Sequence, residues 1–141
     1  MKKLLLAFLS VILVAGIAIA DDNYEDIAFK DVPGLGQKSV EAYFSGNTVV
    51  RIVKYTSGSK KRRTCVVFES GAAIEFDKNG NWMIVDCING GSVPMRMVPG
   101  LIQMYLSQNN PDTEVVLMSR ERLNGVITIL LNDGTELQFT D

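Results

Sequence analysis

Val32-Pro33-Gly34-Leu35 returns 66 residues later as Val98-Pro99-Gly100-Leu101, and the rest of the chain lines up around that return. At the same offset Ile27 falls on Val93, Val40 on Leu106 and Val49-Val50 on Val115-Val116. Beyond Lys54 the match continues at an offset of 63: Val66-Val67-Phe68 falls on Ile129-Leu130-Leu131, Gly71 on Gly134, Ile74 on Leu137 and Phe76 on Phe139. The three extra residues of the first copy lie within Thr56–Arg63. That stretch, TSGSKKRR, has the composition of a loop, where insertions are tolerated. Two related units are expected, residues 27–90 and 91–141. Neither would bury its apolar face alone, so they should form a single domain over 27–141.

Each unit reads as a helix followed by strands. Pro33 and Pro99 stand where prolines start helices. Val98, Leu101, Ile102 and Tyr105 make one helical stripe, ended by Pro111, because the residue before a proline resists helical angles. Leu35, Ser39, Val40 and Tyr43 make a weaker one, diluted by Gly34 and Gly36. Thr48–Tyr55 and Thr113–Ser119 are β-branched and apolar. A three-residue turn at Asn132-Asp133-Gly134 pairs Ile129 with Leu137 and Ile127 with Phe139, apolar with apolar; a two-residue turn would oppose Thr128 to Phe139. The same register in the first copy pairs Val66 with Ile74 and Phe68 with Ala72. The Asp77-Lys78-Asn79-Gly80 turn then adds a strand over Asn81–Cys87, with Trp82 opposite Phe76 and Met83 opposite Glu75. The expected class is α+β: two tandem helix-plus-antiparallel-strand repeats, both helices packed on one face of an antiparallel sheet.

The first twenty residues read as an address. Lys2-Lys3 precede an apolar run from Leu4 to Ala20, which ends in Ala18-Ile19-Ala20 before Asp21-Asp22. That is a charged start, an apolar centre and a small-x-small cleavage site. Cleavage after Ala20 and export to the periplasm or beyond are expected. Without Lys2 and Lys3 the remaining 121 of 141 residues carry 12 basic against 16 acidic side chains, a net charge of −4. Such a chain is a poor nucleic-acid binder. Asp21, Asp22, Glu25 and Asp26 make residues 21–26 an acidic N-terminal segment, expected to be a flexible tail.

The chain holds no histidine and two cysteines. That excludes Ser-His-Asp and Cys-His nucleophile systems and histidine-ligated or four-thiolate metal sites. No catalytic residue, metal or cofactor is expected.

Several short motifs occur in order: Val32-Pro33, Tyr43-Phe44, Ile74-Glu75-Phe76-Asp77, Gly80-Asn81-Trp82, Val98-Pro99, Tyr105, Asn109-Asn110-Pro111 and the ending Asp133-Gly134-Thr135-Glu136-Leu137-Gln138-Phe139. The set resembles the secreted PepSY-like proteins of gut Bacteroidota, which have a β-lactamase-inhibitor-protein-like fold. The resemblance covers Ile27 to Asp141 and departs from the family pattern at Ser39 and Ser45. It implies two tandem α+β repeats, a periplasmic or secreted location and no established enzyme activity.

Two surfaces are candidates for binding. With Val66, Phe68, Ile74, Phe76, Trp82 and Ile84 facing the helices, the opposite face should show Cys65, Val67, Glu75, Met83 and Val85, together with Ala73. A helix-free face rich in apolar side chains can mark a binding or dimer surface. The other reading is burial by the second repeat or by the N-terminal segment. Lys60-Lys61-Arg62-Arg63 is the one strong charge cluster. It reads either as a solvated hairpin loop or as a contact for an acidic protein, a glycan or an anionic membrane. Cys65 and Cys87 should lie two strands apart and four residues along, about 10 Å across and 13 Å along. That exceeds the roughly 7 Å that a disulfide spans between Cα atoms. The leading expectation is an exported, non-enzymatic module that binds, and in one form inhibits, a periplasmic or extracellular protein through the sheet face, with a homodimer as another outcome. The alternative is an envelope-stress module binding a peptide, glycan or small ligand between the repeats. A cysteine-dependent enzyme is the third reading, and it would need a thiol of lowered pKa.

Overall fold

A computed structural model describes residues 23–121 and 123–140; the expected signal segment lies outside them. Eight strands form one antiparallel sheet whose spatial order is the chain order. They are β1 (Tyr24–Asp26), β2 (Val49–Tyr55), β3 (Thr64–Phe68), β4 (Ala73–Phe76), β5 (Trp82–Asp86), β6 (Val115–Arg120), β7 (Ile127–Leu131) and β8 (Glu136–Phe139). Helix α1 (Gly34–Tyr43) joins β1 to β2, and α2 (Gly100–Asn109) joins β5 to β6, each preceded by a short 3-10 turn. The class is α+β, as the alternation of helical and strand patterns predicts.

Both helices start from a proline held just outside the first turn, Pro33 at φ −51° and ψ 139° and Pro99 at φ −52° and ψ 142°. The ring fixes φ and removes a donor that a helix N-terminus could not use. The Gln37 side-chain amide donates to the Val32 carbonyl at 2.8 Å, and Gln103 donates to Val98 at 2.7 Å. The buried stripe of α1 is Gly36 and Val40, with Phe44 following; that of α2 is Ile102 and Leu106. Leu35 and Leu101, expected on the packed stripe, are instead 50% and 81% exposed. Gly36 brings α1 close to the sheet: a Cβ there would stand 3.1 Å from Val32 and 3.2 Å from Phe76.

One row of side chains crosses β2 to β8 in register: Ile52, Val66, Ile74, Val85, Met118, Ile129 and Leu137. All seven are buried and share one core with Val40, Phe44, Ile102 and Leu106, so both helices lie on this face. Each such side chain contributes about 1.5–3 kcal/mol by leaving water. Phe44 stacks on Phe68 at 4.9 Å, and Tyr105 meets Phe139 edge-on at 5.4 Å. The β7–β8 pairing of Ile129 with Leu137 and Ile127 with Phe139 is the one that the three-residue turn requires.

Two further expectations are corrected. The acidic segment is not a loose tail throughout: Tyr24–Asp26 is the edge strand β1, paired with Val53–Tyr55 and tied by the Asp26–Arg51 ion pair at 3.0 Å. Asp21 and Asp22 lie outside the described residues. In the β4–β5 hairpin, Phe76 pairs with Trp82 as expected, but Glu75 pairs with Ile84. Met83 is the extra residue of a β-bulge, and one extra residue reverses the faces of everything after it. Val85 consequently sits in the helix-side core and Ile84 on the opposite face.

Candidate functional site

The face turned away from α1 and α2, helix-free among the described residues, is built from two rows that alternate with the core row. One runs Asp26, Val53, Cys65, Glu75, Ile84, Ser119, Thr128, Gln138 across all eight strands. The other runs Arg51, Val67, Ala73, Asp86, Leu117, Leu130, Glu136. Strand alternation places both rows away from the helices. They divide into two apolar groups. Val53, Tyr55, Cys65 and Ala73, with Val67 against them, occupy the first half. Leu117, with Ile84, Ile88 and Leu130 against it, occupies the second.

Of the six residues expected to form a surface here, the structure brings five to positions that differ in kind from that expectation, Ala73 among them at 3% exposure. Cys65 and Glu75 face this side but are each 1% exposed, Met83 is 4% exposed, and Val85 belongs to the other face. Only Val67 is half-buried and within reach of a partner. Sequence reasoning missed Ile84, Ile88 and Leu130, which are half-buried on this face. A shallow cleft of about 430 Å³ opens there, with Ile84, Ser119, Thr128 and Gln138 along it and Leu123 at its rim. Leu123 is 98% exposed.

Three carboxylates on this face are buried: Glu75, Asp86 and Glu136. Burial pushes the Asp86 carboxyl above its ordinary range, against a hydrogen bond donated by the Ile88 N–H at 3.1 Å. Burial likewise raises Glu136, whose Oε2 finds no hydrogen-bond partner among the described residues.

The basic cluster splits into two pairs. Arg63 Nη1 reaches Glu75 Oε1 at 2.8 Å and Lys60 Nζ reaches Oε2 at 3.2 Å, so these two turn inward and neutralise a buried charge. Lys60 also lies 5.5 Å from the Tyr55 ring centroid. Lys61 and Arg62 face water. Arg62 has φ +77°, the one positive φ of a non-glycine residue among those described. It is held there by the Tyr55–Arg63 and Arg62–Tyr55 backbone hydrogen bonds that close the hairpin, both 2.9 Å.

The thiols are unbridged and buried. Cys65 lies on the helix-free side and Cys87 in the helix-side core. Burial, with Glu75 beside it, pushes the Cys65 thiol up to about 12; burial, then Asp86, does the same to Cys87. Both shifts run opposite to what a nucleophile requires. No cluster of three or more histidine, cysteine or acidic side chains suited to a metal occurs among the described residues. No helix among them is long and apolar enough to cross a membrane.

Two arginines join the second half to the first. Arg120 lies 4.0 Å over the Trp82 ring and donates to the Trp82 carbonyl at 2.9 and 3.3 Å. Burial lowers its pKa, opposed by Asp77. Arg96 lies 5.4 Å over the Tyr43 ring and donates to the Ala42 carbonyl at 2.9 Å. Between these contacts runs a groove of about 240 Å³ bordered by Leu35, Tyr43, Trp82, Met97 and Arg120.

Among the described residues, an eight-stranded meander with two helices on one side and a pair of buried, unbridged thiols defines a small α+β fold. The model of the family described as "Putative beta-lactamase-inhibitor-like, PepSY-like" matches residues 62–141, more than half of the chain, and the chain belongs to that PepSY-like family. Among solved structures, a "putative calcium-regulated periplasmic protein" from Bacteroides thetaiotaomicron is 32% identical with a TM-score of 0.76, over 83% of this chain and 89% of that one. A "putative periplasmic protein" from Bacteroides vulgatus is 29% identical with a TM-score of 0.78, over 86% and 92%. A "putative periplasmic protein of unknown function" from that organism, 24% identical with a TM-score of 0.70 over 84% and 91%, shares the fold. No curated protein sequence matches.

Proposed function

We propose that the protein is an exported, non-enzymatic binding module of the periplasm that grips another protein through the helix-free face of its sheet. The observation that carries this is the cleft lined by Ile84, on the side of the sheet away from α1 and α2, with Leu123 fully exposed at its rim and Leu130 half-buried on the same face. An exposed apolar side chain beside a half-apolar concavity is the pattern of an anchor and its surroundings at an interface. The periplasmic neighbours support the compartment, and the upward-shifted thiols speak against cysteine chemistry.

We also infer that the chain is a tandem duplication. The helices are each ten residues long and begin 66 residues apart, at Gly34 and Gly100. The bulges of β2 and β6 fall at Val50 and Val116, again 66 apart. The pairs Val66–Ile74 and Ile129–Leu137 agree at an offset of 63. On this reading a fold made twice builds a double-width sheet with one face given to α1 and α2 and the proposed recognition cleft on the other.

The test is affinity capture from periplasmic extract with the wild type and with Ile84→Arg and Leu130→Arg. A stoichiometric partner that is lost in both variants, with melting temperatures unchanged, supports the reading. A partner retained by both refutes it, as does a variant-sensitive homodimer with no partner. The groove between the halves favours a second reading, a small peptide or glycan held against Tyr43, Trp82 and Arg120. A thermal shift with short peptides or sugars, abolished by Trp82→Ala and untouched by Ile84→Arg, would favour it.

A further inference from the structure

The outward pair of the basic cluster belongs to a different place on the molecule. Two adjoining clefts lie between the β2–β3 loop, the Asp77–Asn81 turn and the start of α1. The first, about 200 Å³, is bordered by Ser59, Lys61 and Asp77; the second, about 390 Å³, by Asp31, Lys54 and Thr64. Arg62, Lys78 and Asn79 border both and so form the ridge between them. Lys54, Lys61, Arg62 and Lys78 make no ion pair among the described residues. Four cations without an ion pair among the described residues thus border these two clefts, in a chain whose overall balance is negative.

The backbone adds a second observation. Arg62 occupies the left-handed region, where glycine or asparagine is the ordinary choice at a hairpin loop. The loop already spends glycine at position 58, φ +80°. An arginine at 62 therefore costs stability that a glycine would restore, and the return for that cost is a guanidinium on the ridge between two clefts.

The clefts are not purely basic. Asp77 lines the first and Asp31 the second. The Asp77 carboxylate is fixed by the Asn79 and Asn81 N–H groups at 2.8 and 2.9 Å. A flat anionic surface would meet these carboxylates with repulsion. A ligand with one compact oxyanion and several hydroxyls would not: its oxyanion pairs with the guanidinium and ammonium groups, and its hydroxyls donate to the carboxylates.

We propose that this corner binds a saccharide carrying a phosphate or sulfate ester, with the ester held by Arg62 and Lys78 and flanked by Lys61 and Lys54. The site adjoins the sheet-face cleft at Arg63, which borders both, but Arg62, Lys78, Lys61 and Lys54 do not line that cleft, so the two readings are tested by different side chains. Glucose 6-phosphate and glucosamine 6-sulfate are the probes, titrated at low salt by calorimetry and by amide chemical shifts. Both should bind, with shifts centred on residues 61–63 and 78–80. Glucose, glucosamine and inorganic sulfate should each bind at least about tenfold more weakly. Arg62→Gly is the informative variant, because it keeps the backbone conformation and removes the side chain. It should weaken binding at least about tenfold while melting at the same or a higher temperature. Lys38→Ala, the same charge change on α1, should bind like the wild type. Equal binding of inorganic sulfate, binding confined to anionic vesicles or acidic peptides, or Arg62→Gly within twofold of wild type would each overturn the proposal.

Discussion

Replacing Arg63 by alanine tests the physical account of the basic cluster most directly. Glu75 is 1% exposed on the helix-free face, and its two oxygens are held separately, by Arg63 at 2.8 Å and by Lys60 at 3.2 Å. Removing one partner of a buried ion pair costs about 3–5 kcal/mol, because an uncompensated charge is left behind. Here Lys60 remains paired with Glu75, so the cost falls to or just below the bottom of that range, about 2–3 kcal/mol. For a domain of this size roughly 4 °C of melting temperature is lost per kcal/mol, so Arg63→Ala should melt about 8–12 °C lower. Urea unfolding should show a lower midpoint at unchanged slope. Glu75→Gln should cost less, under about 1.5 kcal/mol, since the two freed cations, at 21% and 22% side-chain exposure, can turn to water. The Glu75→Gln/Arg63→Ala double variant should lose less than the sum, by about 1–2 kcal/mol. Salt should recover little, because the carboxylate is screened from solvent by burial. An Arg63→Ala cost under about 0.5 kcal/mol, or strict additivity, would mean that Glu75 is not held as described.

Other perturbations have equally definite outcomes. Gly80→Ala should destabilise by about 2–4 kcal/mol on urea unfolding, because the new Cβ would stand 2.7 Å from the Gly36 nitrogen at a residue with φ +89°. Asp86 has a folded-state pKa above its unfolded value, so its ionisation weakens the native state as pH rises above the unfolded pKa. Asp86→Asn should therefore gain stability relative to wild type between pH 4.5 and pH 8, checked by unfolding at both; a larger loss at pH 8 would contradict the burial argument. Asp77 runs the other way. Burial alone would raise it, but the hydrogen bonds from Asn81 and Asn79 together hold it below its ordinary value, so the stability it contributes is present above the unfolded pKa and lost in acid. Asp77→Ala should accordingly be most costly near neutrality and least costly in strong acid. Both thiols should resist iodoacetamide at pH 8 in the folded protein and react readily in denaturant, as mass spectrometry would record.

What the sequence disclosed depended on whether a residue carried a phase. The β7–β8 register was legible because Thr128 and Gln138 interrupt apolar neighbours and only one turn length pairs like with like. The bulge at Met83 was not, because Trp82-Met83-Ile84-Val85 is apolar throughout and a slip of one residue leaves no trace in its pattern. That single slip moved Val85 to the core, brought Ile84 to the candidate surface and displaced the expected site. The α1 stripe looked weak because one of its packing positions is Gly36, which contributes closeness to Phe76 in place of a side chain. Strand β1 was hidden by its composition, Tyr24-Glu25-Asp26, and the clue lay 25 residues away in Arg51. The pairing of Glu75 with Arg63 had a signal that went unread: a lone carboxylate in an apolar strand, opposite a hairpin loop rich in cations.

The identity of spatial and chain order across the eight strands bears on how the molecule assembles. Five of the seven pairings join strands linked by short connections, and local pairings form quickly because little loop entropy is lost in closing them. The two exceptions, β1 to β2 and β5 to β6, span connections that each contain a helix. A meander of this kind has no strand that must wait for a distant partner to be threaded between two others. The slowest search is then the meeting of β5 with β6, which brings Val85 against Met118 and unites two hairpin groups into a single continuous layer.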